Sequence, residues 1–166
     1  MKRILLLLLL MLNISAEAQI QRSFFGFTLG VSNRQNISSH FKRQNKTIKN
    51  EDDVLVVKNL KFGGQMWDEV RFVFYMNKFY QIFLVTSTER NSKEYLDERW
   101  DYLLNKFLKK YRNYYQPMSS DTKYFCDDKT TLRFHYEFSG GLWYQDLVYY
   151  DNKLFDSSMR DDDNDL

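Results

Sequence analysis

Two rhythms of apolar residues alternate along this chain. Val54, Val56, Leu60 and Phe62, followed by Val70, Phe72, Phe74 and Met76, recur at even positions, the period of strands with one buried face. From Phe79 to Thr86 both parities are apolar, with Phe79, Phe83 and Val85 against Tyr80, Ile82 and Leu84. A strand apolar on both faces belongs in the middle of a sheet. The period then changes, because Leu96, Trp100, Leu103, Leu104, Phe107, Leu108 and Tyr111 follow a helical spacing. Asn91 and Glu94 read as its capping pair. Acidic residues fill its first half and basic ones its second, complementing the helix dipole, and Pro117 stops it. Further on, Thr122–Cys126, a turn at Asp127-Asp128-Lys129 and Thr130–Phe138 predict a hairpin. In it Leu132, Phe134, Tyr136 and Phe138 face inward and Arg133, His135 and Glu137 outward. An earlier helix over 33–44 is predicted by a capping box at Ser32-Asn33-Arg34-Gln35, with only Ile37 and Phe41 behind it. That thin stripe makes the first helix a light cover and the second the main core element, so Phe107→Ala should harm folding more than Phe41→Ala.

One phrase occurs twice. Phe62-Gly63-Gly64-Gln65-Met66-Trp67 leads through a strand to Asn77-Lys78-Phe79, and Phe138-Ser139-Gly140-Gly141-Leu142-Trp143 leads to Asn152-Lys153-Leu154. Self-similarity at a fixed interval predicts a duplicated unit, with Trp67 equivalent to Trp143 and Asn77 to Asn152. Each unit reads helix, strand, strand, strand, over about 24–87 and about 91–157, and the chain should turn back at Asn152 through Leu154 and Phe155. One helix over three strands leaves an edge and part of a face open. The two units are therefore expected to share a mainly antiparallel sheet with the helices on one side, a two-layer α+β domain over 19–160. Asp161–Leu166 is expected to be a disordered acidic tail.

Lys2-Arg3, nine apolar residues from Ile4 to Leu12, and Ala16-Glu17-Ala18 have the order of a secretory signal peptide, residues 1–18. Nine residues make a helix of only about 14 Å, against a hydrocarbon core of about 30 Å. Cleavage after Ala18 predicts a mature chain beginning at Gln19, in the periplasm or secreted, with no transmembrane segment. Removing Lys2, Arg3 and Glu17 from 24 basic and 22 acidic groups leaves 22 against 21. This near-neutral balance gives no field for drawing in nucleic acid. Cys126 is the single cysteine, so no intramolecular disulfide forms.

The tandem helix-and-sheet pattern in an exported chain resembles the β-lactamase-inhibitor-protein fold and its periplasmic PepSY-like relatives. Phe25-Gly26-Phe27-Thr28-Leu29-Gly30-Val31-Ser32, with a short helix behind it, is similar to the start of small outer-membrane assembly lipoproteins of the SmpA/OmlA type. These resemblances imply a binding module without a cofactor that grips another protein by a sheet face or loops. The chain lacks the lipidation cysteine of the one family and the disulfide pairs of the other. The Ala18-Gln19 junction and the aromatic, Lys/Asn-rich style resemble exported proteins of Bacteroidetes-type bacteria, which implies a Gram-negative envelope.

Candidate chemistry is sparse. Cys126 should pair near Thr131, placing His135 roughly 13 Å away along the sheet, too far for a dyad, and Cys126 reads as a small core residue. His40 and His135 read as solvated, and their separation does not suggest a zinc site. Asp127-Asp128 reads as a turn, and the acidic tail lacks the glycine and distal glutamate of a calcium loop. Gly63-Gly64 and Gly140-Gly141 precede strands, so they are hairpin turns rather than phosphate cradles. Lys42, Arg43, Lys46 and Lys49 form a basic surface loop. No catalytic, cofactor-binding or metal-ligating residue is assigned. The surplus is aromatic: Trp67, Trp143, Tyr114 and Tyr115 are the candidate binding surface, placed to anchor a protein or stack on a sugar. The expected function is an exported, non-enzymatic interaction module whose partner is another envelope protein. The alternative is a carbohydrate-binding or glycan-hydrolysing protein.

Overall fold

The computed structural model describes residues 19–164. The stretch read as a signal peptide, residues 1–18, lies outside the described residues. A small hairpin, β1 (Ser23–Phe24) and β2 (Phe27–Thr28), precedes helix α1 (Arg34–Arg43) and strands β3 (Ile48–Glu51), β4 (Val54–Phe62), β5 (Gln65–Tyr75) and β6 (Lys78–Ser87). Helix α2 (Lys93–Lys110) and a 3-10 turn (Arg112–Tyr114) then lead into β7 (Tyr115–Pro117), β8 (Thr122–Cys126), β9 (Thr130–Ser139), β10 (Leu142–Asp151) and helix α3 (Asn152–Asn164). Strands β3 to β10 form one eight-stranded sheet, in the order β3-β4-β5-β6-β10-β9-β8-β7, and every pairing is antiparallel. The fold is α+β, and β6 is central, as its two apolar faces predict.

Three tight turns set the registers. Gly63-Gly64, Gly140-Gly141 and Met76-Asn77 all have both residues at positive φ, the two-residue hairpin geometry that matches strand twist. The third turn is thus Met76-Asn77, not Asn77-Lys78. At Asn152 no turn forms. The Asp151 carboxylate accepts from the Leu154 N–H at 3.0 Å and caps α3, so the chain continues as helix through Asn164, where a returning strand and an unstructured tail were expected. The caps of the other helices also sit one residue on from those predicted. Asn33 accepts from the Asn36 N–H and Ser92 from the Tyr95 N–H, while the Asn91 amide binds Asp68, Thr86 and the Ser87 carbonyl.

Inside–outside alternation breaks at a bulge in β6, where Phe79 and Ile82 both face the core across the register shift opposite Val73 and Phe74, and again in β4 and β5 together. Asn59 takes a left-handed conformation, φ 55°, within a pairing that runs Lys58–Glu69 and then Leu60–Trp67. Before this point Leu55 and Val57 face the core, and beyond it Leu60 does; on β5 the switch runs from Val70 and Phe72 to Trp67. Val56, expected inside with Leu60, therefore faces the opposite side of the sheet from Leu55 and Val57. Trp67 and Trp143 are not equivalent either, because β5 is flanked by β4 and β6, whereas β10 pairs with β6 and β9.

The two sheet faces differ. On one, Phe41 of α1 meets Phe72 and Trp100 of α2 stacks on Phe134 at 4.0 Å. On the other lies α3, whose Phe155 stacks on Tyr150 at 4.4 Å and whose Asp161 accepts from the Tyr75 hydroxyl. The helices are therefore not all on one side. The first helix is also no light cover: Ile37 and Phe41 are fully buried, and Phe107 is only half-buried. What thickens the core around α1 is the N-terminal segment, which contributes Ile20, Phe24, Phe27 and Leu29. The Ile20 N–H donates to Asp127, and the Arg22 guanidinium donates to Thr130, Asp151 and the Lys129 and Leu29 carbonyls. A Cβ at Gly30 would lie 2.9 Å from the Asp151 carboxylate, and its φ is +78°, so this close approach requires glycine.

Candidate binding surface

Aromatic side chains form a continuous ladder beneath α2. Tyr115 meets Phe125 at 5.3 Å, Phe125 meets Phe107, Phe107 meets Phe134, and Phe134 stacks under Trp100. Trp100 then overlies Tyr136, which contacts Trp143 at 5.1 Å, and Trp143 contacts Phe138 at 5.3 Å. Strand alternation builds the ladder, since Leu132, Phe134, Tyr136 and Phe138 share one face of β9. Offset and edge-on pairs of this kind contribute about 0.5–1.5 kcal/mol each beyond their burial.

The four proposed surface residues are not one patch. Trp67 is 1% exposed, beneath α2 with its indole N–H donating to the Phe62 carbonyl, so it is no part of a docking surface. Trp143 is half-buried at the N-terminal end of α2, where the Lys93 ammonium sits 4.9 Å from its ring centroid. Tyr114 and Tyr115 follow the other end of that helix and pack partly against the core. Eighteen residues of helix, about 27 Å, separate the two places. Beside Trp143, Phe138 is 60% exposed; the hairpin end carries the most accessible aromatic surface of the ladder.

A second surface, not singled out by the sequence, is the sheet face opposite α1 and α2, which α3 covers at one end. Registers across five strands align Glu69, Val85, Asp146, His135 and Thr122 in one row. The next row aligns Arg71, Phe83, Val148, Arg133 and Tyr124. Phe83 and Val85 are half-buried at the centre, and Val148 beside Phe83 is buried. Charges flank them and pair among themselves. The Arg133 guanidinium donates to Asp146 at 3.1 Å, the His135 Nδ1 lies 3.2 Å from the other Asp146 oxygen, and Arg71 pairs with Glu69. His135 is thus an outward residue as read, but it is held between Asp146 and Glu137 rather than free in solvent.

Cys126 pairs with Thr131 in register as predicted. Instead of joining the core it is part-exposed, and its sulfur accepts from Thr131 and Asn152. His40 is edge-on to Phe27 and Phe41 and bonds Gln44, so it too is less solvated than its sequence neighbours imply. Arg99, in the middle of α2, is 4% exposed. It stacks 4.1 Å from the Trp67 ring centroid and donates to the Met66 carbonyl, and its Nε and Nη2 have no partner. Burial pulls its guanidinium below the usual arginine range, opposed by Tyr95 and Asp68. On the exposed side of the ladder, hydrogen bonds from Lys93 and Tyr136 lower the Asp97 carboxyl, and burial followed by Asp97 raises the Tyr136 phenol. Among the described residues no three His, Cys, Asp or Glu side chains are grouped to hold a metal ion, and no helix is long and apolar enough to cross a membrane. Neither family models, curated proteins nor solved structures give a match to this chain.

Proposed function

We propose that this protein is an exported, non-enzymatic interaction module of a bacterial cell envelope, which grips another envelope protein with the open face of its sheet. The observation that carries this reading is the half-buried Phe83 and Val85 strip with its border of paired charges. An apolar centre within a polar rim is the anatomy of a non-obligate protein interface. Charges already paired within the chain keep the face soluble before docking. Export rests on the Lys2-Arg3, Ile4–Leu12 and Ala16-Glu17-Ala18 pattern, and a cut after Ala18 keeps Ile20, the first buried residue among the described ones. The resemblance of the sequence pattern to β-lactamase-inhibitor-like and PepSY-like modules also implies a protein-gripping role. The test is affinity capture from an envelope extract with wild type and Val85→Arg side by side. A partner held by wild type and lost from the variant supports the reading, and equal capture by both refutes it.

A second reading has its own observation, the exposed Phe138 beside Trp143 and Tyr136. Adjacent aromatic faces stack on sugar rings. Glycan-array binding that disappears in Trp143→Ala and persists in Val85→Arg would favour a carbohydrate-binding role over the protein partner.

A further inference from the structure

Between α2, the β4–β5 hairpin and the N-terminal segment lies a cavity of about 190 Å³. Its walls include Trp67, Leu103, Phe107 and Tyr149, and its rim carries Lys106 and Lys110. The two lysines are one helical turn apart on α2, so their ammonium groups reach the same side. No carboxylate lines the cavity, and among the described residues neither lysine forms an ion pair. Their contacts are weaker ones: Lys106 lies over Tyr102 at 4.3 Å and Lys110 over Tyr111 at 4.9 Å. Two uncompensated cations beside an aromatic chamber are complementary to a molecule that is apolar at one end and negative at the other.

We propose that this cavity binds a small organic anion, a carboxylate carried on an alkyl or aromatic body. The body lies against the half-buried rings of Phe62 and Phe107, over the floor that the buried Trp67 and Leu103 form, and the carboxylate sits at the mouth between Lys106 and Lys110. Size limits the class. The cavity holds about six units of the roughly 30 Å³ that a water occupies in the liquid, and it is smaller than the ~300–1,000 Å³ pockets of drug-sized ligands. The ligand is therefore of medium-chain fatty-acid or phenylalkanoate size. Gln21 also lines the chamber, and its N–H donates to the Tyr111 hydroxyl at 3.2 Å, so the N-terminal segment closes one side. The cavity lies on the helix-bearing face, away from Phe83 and Val85, so loss of the open-face reading and loss of this one are separate results.

Calorimetric titration of the chain with octanoate and with 3-phenylpropionate tests the proposal. 1-Octanol serves as the neutral analogue and octyltrimethylammonium as the cationic one. At least one carboxylate should saturate a single site, perturb the methyl resonances of Leu103 and Leu147, and bind more tightly than the alcohol or the cation. The double charge reversal Lys106→Glu/Lys110→Glu alters exposed positions, so its thermal melt should fall only by the few degrees that two acidic groups near a helix C-terminus cost, while carboxylate affinity falls about tenfold or more. Octanol binding should not change. The proposal is overturned if neither carboxylate saturates by about 10 mM, if the shifts appear away from Leu103 and Leu147, or if the charge-reversed protein binds carboxylate within twofold of wild type.

Discussion

Phe41→Ala should cost far more stability than Phe107→Ala, the reverse of what the helical stripes suggest. Phe41 is 1% exposed and its ring meets Phe25, Phe27, His40 and Phe72 at 5.2–6.2 Å. Truncating such a ring removes its transfer free energy and leaves a void in a close-packed layer, a combined loss of about 3–5 kcal/mol. Phe107 has good neighbours in Tyr111, Phe125 and Phe134, but it is half-buried and already borders the cavity beside Trp67. Part of its surface has no packing to lose, so about 1–2 kcal/mol is expected. With a urea m-value of about 2 kcal/mol/M, the Phe41 variant should lose roughly 2 M in midpoint and the Phe107 variant less than about 1 M. Circular dichroism of both variants across a urea series measures this. Equal m-values with a larger midpoint loss at Phe107 would refute the argument and return α1 to the role of a loose cover.

Arg99→Met gives up the bond to the Met66 carbonyl and the stack on Trp67, but it also removes two buried N–H groups without partners. Its unfolding free energy should stay within about 1 kcal/mol of wild type, whereas Arg99→Ala, which also loses packing, should cost about 3 kcal/mol; thermal melts separate the two. Asp97 has a lowered pKa through Lys93 and Tyr136, so its contribution is present above the ordinary carboxylate value of about 3.9 and is lost as pH falls through the depressed one. Asp97 is partly exposed, so solvent screening keeps the effect below about 1 kcal/mol, and Asp97→Asn should flatten the acid limb of a stability–pH curve below about pH 4 by that amount. Met76 and Asn77 occupy a turn that needs positive φ twice, and Met76 is largely exposed. The pair Met76→Asn/Asn77→Gly should therefore stabilise by about 1 kcal/mol and raise Tm by about 2–4 °C in calorimetry.

Local rules account for what the sequence made legible. Gly-Gly pairs specify their hairpins, a strand with two apolar faces sits centrally, and the Asp127-Asp128-Lys129 turn sets Cys126 opposite Thr131. The misreadings come from single residues that override a periodic pattern. Asn59 reverses the parity of two strands at once, which sends Trp67 under α2 and Val56 to the other face, and no alternation count registers a left-handed asparagine. Asp151 caps a helix where Asn152-Lys153 imitates the earlier turn; the Asp three residues before an apolar pair was the available signal. The open face was missed because its row of Glu69, Val85, Asp146 and His135 exists only once β6 and β10 pair, across some sixty residues of chain. The burial of Phe41 likewise depends on Phe25 and Phe27, to which no periodic pattern assigned an element.

The anchoring of the N-terminal segment has a consequence for the order of assembly. Ile20 and Arg22 find their partners at Asp127, Thr130 and Asp151, separations of 107 to 129 residues. A chain emerging from its N-terminal end therefore cannot seat Ile20 and Arg22 until almost its last strand has appeared. Until then Phe24, Phe27 and Leu29 have an incomplete site, and the β6 edge that will receive β10 is bare. Such distant closures make folding slow relative to size, and they make it a late, nearly all-or-none event. A chain truncated before Leu142 would lack both the final strand and the latch for its own beginning, so a half-made copy is a natural substrate for proteolysis rather than a weaker version of the protein.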